Sequence, residues 1–472
     1  MTTTTTPSTE SGGWDVSLTS RAERSAAGKA LRSKTPRSSH AAWSPDPERP
    51  DPISLLEEAN KTRVEPLVPI RFGRMSLSPF AFYRGSADLM AHDLATTPIS
   101  GIKAQLCGDA HLSNFGVYAS PERRQVFDLN DFDETLPGPW EWDVKRLAAS
   151  VVLAGRQNGY SPRDSKQAVL RCLQRYRESM GQFAQMNHLD VWYSHLEVEG
   201  LIALTRGKKL KRGMERKSER ASKRTRIETF PKLAEVVDGQ YRIKDEPPLI
   251  VHYEDLGDVK KMEEYEAASV KGYFEAYSET LQNDRRMLLS KYHFVDIAQK
   301  VVGVGSVGTR SSAVLLMGGG DGDDPLFLQL KEAQASVLEP YAGDSAYSNH
   351  GERVVQGQRL MQEASDIFLG WTRTDSIDYY VRQLRDMKLS EDIATMTKKE
   401  FDMYTGWCAR ALARAHARSG DPAHISGYLG SGNLFEQAIA KFAEAYADQT
   451  ERDHAALLAA IKEGRIQAEI DV

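Results

Sequence analysis

The stretch Cys107-Gly108-Asp109-Ala110-His111-Leu112-Ser113-Asn114, followed at 131–134 by Asp131-Phe132-Asp133-Glu134, decides how this 472-residue chain is read. The apolar run IKAQL (102–106) predicts a short strand that opens into the first polar turn. RQVFDLNDFDE (124–134) predicts a second strand ending in acids. Either turn alone is an ordinary Asx-rich surface loop. Together, with Asp109 and Asn114 five residues apart and a strand before Asp131, they hold the parts for phosphoryl transfer from ATP. Such chemistry needs a carboxylate to accept the attacking hydroxyl's proton, a part Asp109 can play. It also needs hard oxygen ligands for Mg²⁺, which Asn114 and Asp131 can supply.

Downstream of these turns, WEWDVKRLAASVVLAGRQNG (140–159) predicts a helix from its apolar spacing, and more helix follows to about 203. VKGYFEAYSETLQNDRRMLLSKY (270–292) reads as one helix. The period then changes. FVDIAQKVV (294–302), TRSSAVLLM (309–317) and PLFLQLKEA (325–333) predict a β-meander, with GVGSVG (303–308) as its first turn. A GxGxxG segment is weak by itself, but a strand rather than a helix follows Gly308. Gly303, Gly305, Ser306 and Gly308 therefore fit a hairpin turn whose backbone can approach phosphates. Lys331, inward on the third strand, needs an anion, and ATP phosphates would supply one. A carboxylate on the helix after it should hold the lysine, with Glu352 and Glu363 both candidates. A strand is predicted at 378–386, and 390–472 is almost wholly helical.

Upstream, DPISLLEEAN (51–60) predicts a capped helix, FAFYRG (80–85) an extended segment and SADLMAHDLA (86–95) a helix. Residues 1–50 are rich in Thr, Ser, Pro and charge and read as a disordered tail. Residues 51–290 read as the catalytic half, 291–389 as a β lobe and 390–472 as helices completing the larger lobe. Within 206–226, eleven of 21 residues are Lys or Arg. The run reads as a solvated helix or loop, or as a docking surface for an acidic partner; no aromatic residue interleaves it. The net charge of −5 gives no global reason to expect nucleic acid or an anionic membrane as partner. No apolar run approaches a membrane span, and the first residues do not read as a signal peptide. Cys107, Cys172 and Cys408 form no CxxC pair and suit a reducing cytoplasm.

GDAHLSN (108–114) resembles the HGDxHxxN catalytic loop of the aminoglycoside-phosphotransferase branch of the protein-kinase-like superfamily. DFD (131–133) resembles its metal-binding motif. WEWDVKRLA (140–148) resembles the following helix, whose aspartate, here Asp143, braces the catalytic loop. GDAHLSNFG, FYRG and YYVRQLRDMK also resemble the bacterial DUF2252 family over most of 50–460. The resemblance implies an α+β, two-lobed fold with a small antiparallel β lobe and a large helical lobe. It is circularly permuted, because Lys331 follows the catalytic loop, with GWCARALARAHARSGD (406–421) resembling the helix that normally precedes that loop. Cys107 stands where that branch usually has His.

The resemblance further implies Asp109 as proton acceptor and His111 orienting the loop or a phosphate. Asn114 and Asp131 would bind Mg²⁺, with Asp133 assisting. The glycine turn would cover the phosphates, Lys331 would pair with the α- and β-phosphates, and Gln383-Leu384-Arg385 would read adenine through its backbone. The expected activity is phosphate transfer from Mg-ATP to a small-molecule or protein hydroxyl. Its rivals are a nucleotide-binding scaffold, a nucleotidyltransferase, and a metallophosphoesterase using Asp109, His111, Asn349 and His350.

Overall fold

The computed structural model describes residues 19–205, 207–223, 226–252, 267–301, 303–319, 324–374, 376–384 and 387–470. Its early strands are short: β1 (Lys103–Leu106), β2 (Phe115–Ala119), β3 (Gln125–Leu129) and β4 (Leu136–Pro139). β1 pairs antiparallel with β4, and β2 with β3. This pairing sets the 107–114 and 130–135 turns side by side. The helix Trp140–Gln157 leaves β4 directly, and every residue from Trp140 to Gly155 is buried. Helices Pro162–Phe183, Lys398–Ser419 and Leu434–Lys462 pack around it, giving an α+β body with one large core.

Later strands form the hairpin β5 (Ala234–Val237) and β6 (Gln240–Ile243), and then β7 (Ile250–His252), β8 (Tyr292–Lys300), β9 (Ser311–Gly318), β10 (Asp324–Ala333), β11 (Gly370–Arg373) and β12 (Asp378–Gln383). β7 to β12 make one antiparallel sheet in the order β11-β12-β10-β9-β8-β7. All of β9 is buried because both faces are covered. Val314 and Leu316 pack with Tyr277 and Leu328 on one side, and Ala313 and Leu315 with Ile243 and Phe327 on the other. That alternation is the two-residue period of a strand.

Several expectations change. The sheet does not begin at 291: β7 lies on its edge, and Asp296 accepts hydrogen bonds from the Ile243 N–H at 2.6 Å and His252 Nε2 at 3.0 Å. FAFYRG is helical, Pro79–Arg84, not extended. Ser78 caps it by accepting the Ala81 N–H at 3.1 Å, Pro79 opens its first turn, and Phe80, Phe82 and Tyr83 are buried. Burial and capping here override the β preference of aromatic residues. The 270–292 segment is two helices, Ala267–Glu279 and Asn283–Leu289, broken at extended Gln282.

Of the expected tail, 1–18 lie outside the described residues, but Arg21–Ala30 is a helix started by a Ser20/Glu23 capping box. His40 is buried against Tyr428 and Phe435. The basic run forms helix Lys208–Ser222, mostly exposed, with Ala221 buried and Lys217 paired with Glu391; Arg206, Arg224 and Thr225 lie outside the described residues. Among the described residues no helix is long and apolar enough to cross a membrane.

Candidate active site

Asp109 sits in the turn after β1, and the helix Trp140–Gln157 fixes that turn from below. Asp143 accepts the Cys107 N–H at 2.8 Å and the Gly108 N–H at 3.0 Å, and lies 3.3 Å from His416 Nε2 on the Lys398–Ser419 helix. Ser150 Oγ accepts the Leu112 N–H at 3.1 Å. Gly108 has φ +80°, and a Cβ there would collide with the Glu134 carbonyl, so glycine is required. Cys107 is fully buried, with its Sγ 3.6 Å from Asn114 Nδ2; this is how the loop packs without a histidine.

Arg146, one turn beyond Asp143, places Nε 2.6 Å and Nη2 2.5 Å from Asp109 Oδ1. His111 Nε2 is 3.4 Å from Oδ2. Burial would raise the Asp109 carboxyl, but Arg146 and then His111 outweigh it and hold it well below the usual carboxylate range. Its side chain keeps 24% exposure, so the carboxylate still faces the cleft. Burial pushes the His111 imidazole down, against the pull of Asp109.

Asn114 stitches the two turns together. Its Nδ2 donates to the Asp109 carbonyl at 2.9 Å and the Asp131 carbonyl at 3.0 Å, and its Oδ1 accepts the Asp131 N–H at 2.8 Å. One lone pair of that oxygen is thus already used by backbone.

Lys331, on central strand β10, is 1% exposed. It pairs with Asp133 and lies 3.5 Å from Asp131, so chain segments two hundred residues apart meet. Tyr380, opposite Lys331 on β12, donates its hydroxyl to Asp133 at 2.8 Å and puts its ring 5.7 Å from Nζ. Burial alone would pull the ammonium down; Asp131 and Asp133 hold it charged, above an ordinary lysine. Asp131 remains 40% exposed. Burial raises its carboxyl, and Lys331 and Arg382 pull it below normal.

Neither expected glutamate reaches Lys331. Glu363 instead accepts the Leu196 N–H at 2.8 Å and meets His195 at 3.1 Å, while Glu352 takes the Asn349 cap of its helix. The helix His350–Met361 turns Arg353 toward the site, where it donates to the carbonyls of Thr135 (2.8 Å), Asp133 (2.8 Å) and Gln334 (2.7 Å). Asp133 has taken the lysine, and Arg353 clamps the backbone that carries Asp133.

The cleft has two ends. A cavity of about 820 Å³ is lined by Asp131, Gly303, Ser306, Lys331, Gln383 and Leu384. One of about 480 Å³ is lined by Asp109, His111, Asn114, Asp133 and Gly305, and shares Asp131, Gly303 and Ser306. Ser306 Oγ lies 3.4 Å from Asp133. Gly308 lines neither cavity: at φ +89° it packs on Arg63, so it shapes the turn from behind instead of covering a phosphate.

At the connector, the Gln383 N–H is taken by Asp366 and the Leu384 N–H by the Phe327 carbonyl at 2.9 Å, so neither amide is open for adenine as placed. Arg385 lies outside the described residues. Asn349 and His350 line neither cavity; Asn349 caps a helix and the His350 N–H meets Asp378 at 2.8 Å.

The residues that sequence reasoning missed are Arg146, Tyr380, Arg353 and Arg84, the last lining the smaller cavity. A signal for Arg146 existed: Lys145 and Arg146 fall in a strongly apolar helix, where each buried cation needs an acid, and Asp143 of that helix already braces the loop.

The donor set can be tested against Mg²⁺. Among the described residues no three His, Cys, Asp or Glu side chains form a ready cation cage. Mg²⁺ on ATP normally uses one or two carboxylates, with water and phosphate oxygens completing its shell. Half-exposed Asp131 beside Asp133 fits that use, and Asn114 Oδ1 would reach a cation by giving up its longer contact with the Asn130 N–H at 3.4 Å.

A family model described as an uncharacterized protein conserved in bacteria (DUF2252) matches residues 63–460. No curated protein and no solved structure matches the chain.

Proposed function

The chain belongs to the DUF2252 family, and we propose that it is an ATP- and Mg²⁺-dependent phosphotransferase with a circularly permuted kinase-like architecture, acting on a small-molecule or protein hydroxyl. One observation carries the reading: Lys331 crosses the cleft to Asp133 and Asp131, with the glycine turn on one side and Asp109 on the other. Bound Mg-ATP would supply the transferable phosphoryl group and the cation that screens its charge.

The protein's own groups then divide the work. Lys331 holds nucleotide phosphates, exchanging its contact with Asp133 for them. Asp131 and Asp133, with Asn114, orient the cation. Asp109 orients the acceptor hydroxyl and takes its proton. Gln383 and Leu384 border the nucleotide end; the Gln383 amide meets adenine once Asp366 moves aside, and the Leu384 amide does so only by giving up the Phe327 carbonyl.

The permutation reading is supported by the helix Lys398–Ser419. Its Tyr404 hydroxyl donates to the Leu112 carbonyl at 2.8 Å, and its Ser419 Oγ accepts the Gln105 N–H at 3.2 Å. This late helix therefore ends beside β1, where an unpermuted chain would run straight into the catalytic loop.

A second reading is nucleotidyl transfer. It is favoured by the hold of Arg146 on Asp109, which lowers its strength as a base. Product mass separates the two, by a phosphoryl or a nucleotidyl increment.

The test of the main reading is titration with a non-hydrolysable ATP analogue, with and without Mg²⁺. Binding should require the cation, weaken in Asp131→Asn, and survive in Asp109→Asn, while ATP turnover with water or protein as acceptor disappears in Asp109→Asn. Absence of cation-dependent binding to the wild type would sink the proposal.

A further inference from the structure

Arg84 stands apart from the arginines beside it at the smaller end of the cleft. Asp109 there is neutralised by Arg146, Asp133 by Lys331, and Glu332 by Arg310 at 3.2 Å. Arg63 and Arg71 face Asp88 and spend guanidinium protons on the carbonyl of Val307, the side chain of Asn60 and the carbonyl of Gly85, each at 2.6 Å. Arg84 lines the same cavity, yet its side chain makes no hydrogen bond or ion pair among the described residues, and its Nε is buried without a partner. It is close enough to Asp109 and His111 for their charges to act on one another.

The backbone around it is held tightly. The Tyr83 carbonyl accepts Arg146 Nη2 at 2.9 Å and the Gly85 carbonyl accepts Arg71 Nη2 at 2.6 Å. Between them, the Arg84 carbonyl lies against Gly305, where a Cβ would be only 3.0 Å away. Two buried arginines and the glycine turn thus fix the residue whose own guanidinium is left over. A half-buried guanidinium with no bonded countercharge is costly, and its fork matches phosphate or carboxylate oxygens. Arg84 lines the end that holds Asp109 and not the larger cavity beside Gln383. An anion held there lies beside Asp109, at the end an acceptor would enter, and away from the nucleotide base and sugar.

We infer that Arg84 is the anion-binding residue of the acceptor site, and that the acceptor alcohol already carries a phosphate or a carboxylate. The word acceptor rests on the phosphotransferase reading; the anion site itself does not.

The test uses the full chain saturated with Mg²⁺ and a non-hydrolysable ATP analogue, titrated calorimetrically with inorganic phosphate and, in a separate arm, with acetate. One saturable anion should bind, and the stronger arm identifies the acceptor's group. Arg84→Gln should weaken it at least roughly tenfold, Arg84→Lys less, and Arg156→Gln not at all. Should Arg84→Gln fold poorly, phosphate protection of the wild-type Arg84 peptide from phenylglyoxal gives the same answer by mass spectrometry. Unchanged affinity in Arg84→Gln, no protection, no anion binding, or displacement of the anion by the nucleotide analogue would each overturn the inference. Arg84-dependent phosphate binding in a protein that ignores nucleotide would uphold the anion site and remove the kinase reading.

Discussion

Asp109 is held from inside its own half of the molecule, by Arg146 and His111, whereas Asp133 is held from across the cleft, by Lys331 and the Tyr380 hydroxyl. Arg146 is rooted in a helix with no freedom to move, since its neighbours on every side are buried. Lys331 and Tyr380 belong to the sheet, which meets the helical body at the cleft. The first contact is part of the fold. The second joins the sheet to the helical body and, on the proposed reading, a ligand would replace it: a triphosphate would bring Lys331 a stronger anion, and a cation would bring Asp133 a stronger positive charge. The difference teaches which acid is fixed within the helical body and which is held only by a contact from the sheet.

The largest effect should come from removing the crossing lysine. Lys331→Met should reduce affinity for the ATP analogue at least ~100-fold, about 3 kcal/mol, read by calorimetry. A loss below tenfold would make the interlobe pair purely structural and break the comparison.

Arg146→Met should act on the fold, costing about 1–3 kcal/mol in urea unfolding because it leaves the partly buried Asp109 carboxylate with only His111. Asp109→Asn should restore part of that loss. The sign with pH follows from the lowered Asp109 pKa. Its contribution is complete above the unfolded value, ~4, and fades as pH falls toward the folded one. Arg146→Met should therefore lose less stability than the wild type on acidification below ~4.

Glu134 sharpens the contrast in the opposite direction. Burial, only partly offset by Arg353, pushes its carboxyl up to about 7 from 4.5. Between those values the unfolded chain sheds a proton that the folded chain keeps, so stability falls as pH rises across that window, by no more than about 1.4 kcal/mol per pH unit for one proton. Glu134→Gln should flatten this slope in pH-dependent melts.

Ser306→Ala is the smallest change. Its 3.4 Å contact with Asp133 is weak, and its loss should cost about 0.5 kcal/mol of stability in urea unfolding and alter affinity for the ATP analogue less than ~threefold.

Much of the cleft was legible because its acids sit in short turns whose spacing fixes their neighbourhood. Asp109, Asn114 and Asp131 are five and seventeen positions from one another, and paired short strands leave those turns little choice but to adjoin. The buried lysine was legible too, as a charge out of place in an apolar strand. The Ser20/Glu23 capping box was present in sequence yet outweighed by the polar composition around it, so the Arg21–Ala30 helix was read as tail. FAFYRG was misread because its aromatic residues favour strands, while Ser78, Pro79 and the core decide for helix. Glu352 and Glu363 were plausible partners for Lys331 by order along the chain, but order says nothing about which acid arrives first across the cleft.

The sequence by itself determined the local pieces: capped helices, the glycine-turned meander, the acid-bearing loops and the need of Lys331 for an anion. Each follows from backbone preferences and from periodicity over a few residues. Only the tertiary structure decided the pairings: Lys331 with Asp133, Arg146 with Asp109, Arg353 on the acidic turn's backbone, and Arg84 with no bonded partner among the described residues. Those choices depend on which surfaces the shared core brings within a few ångströms. Burial makes an unpaired charge so costly that distant residues settle it together, and no local pattern records the outcome.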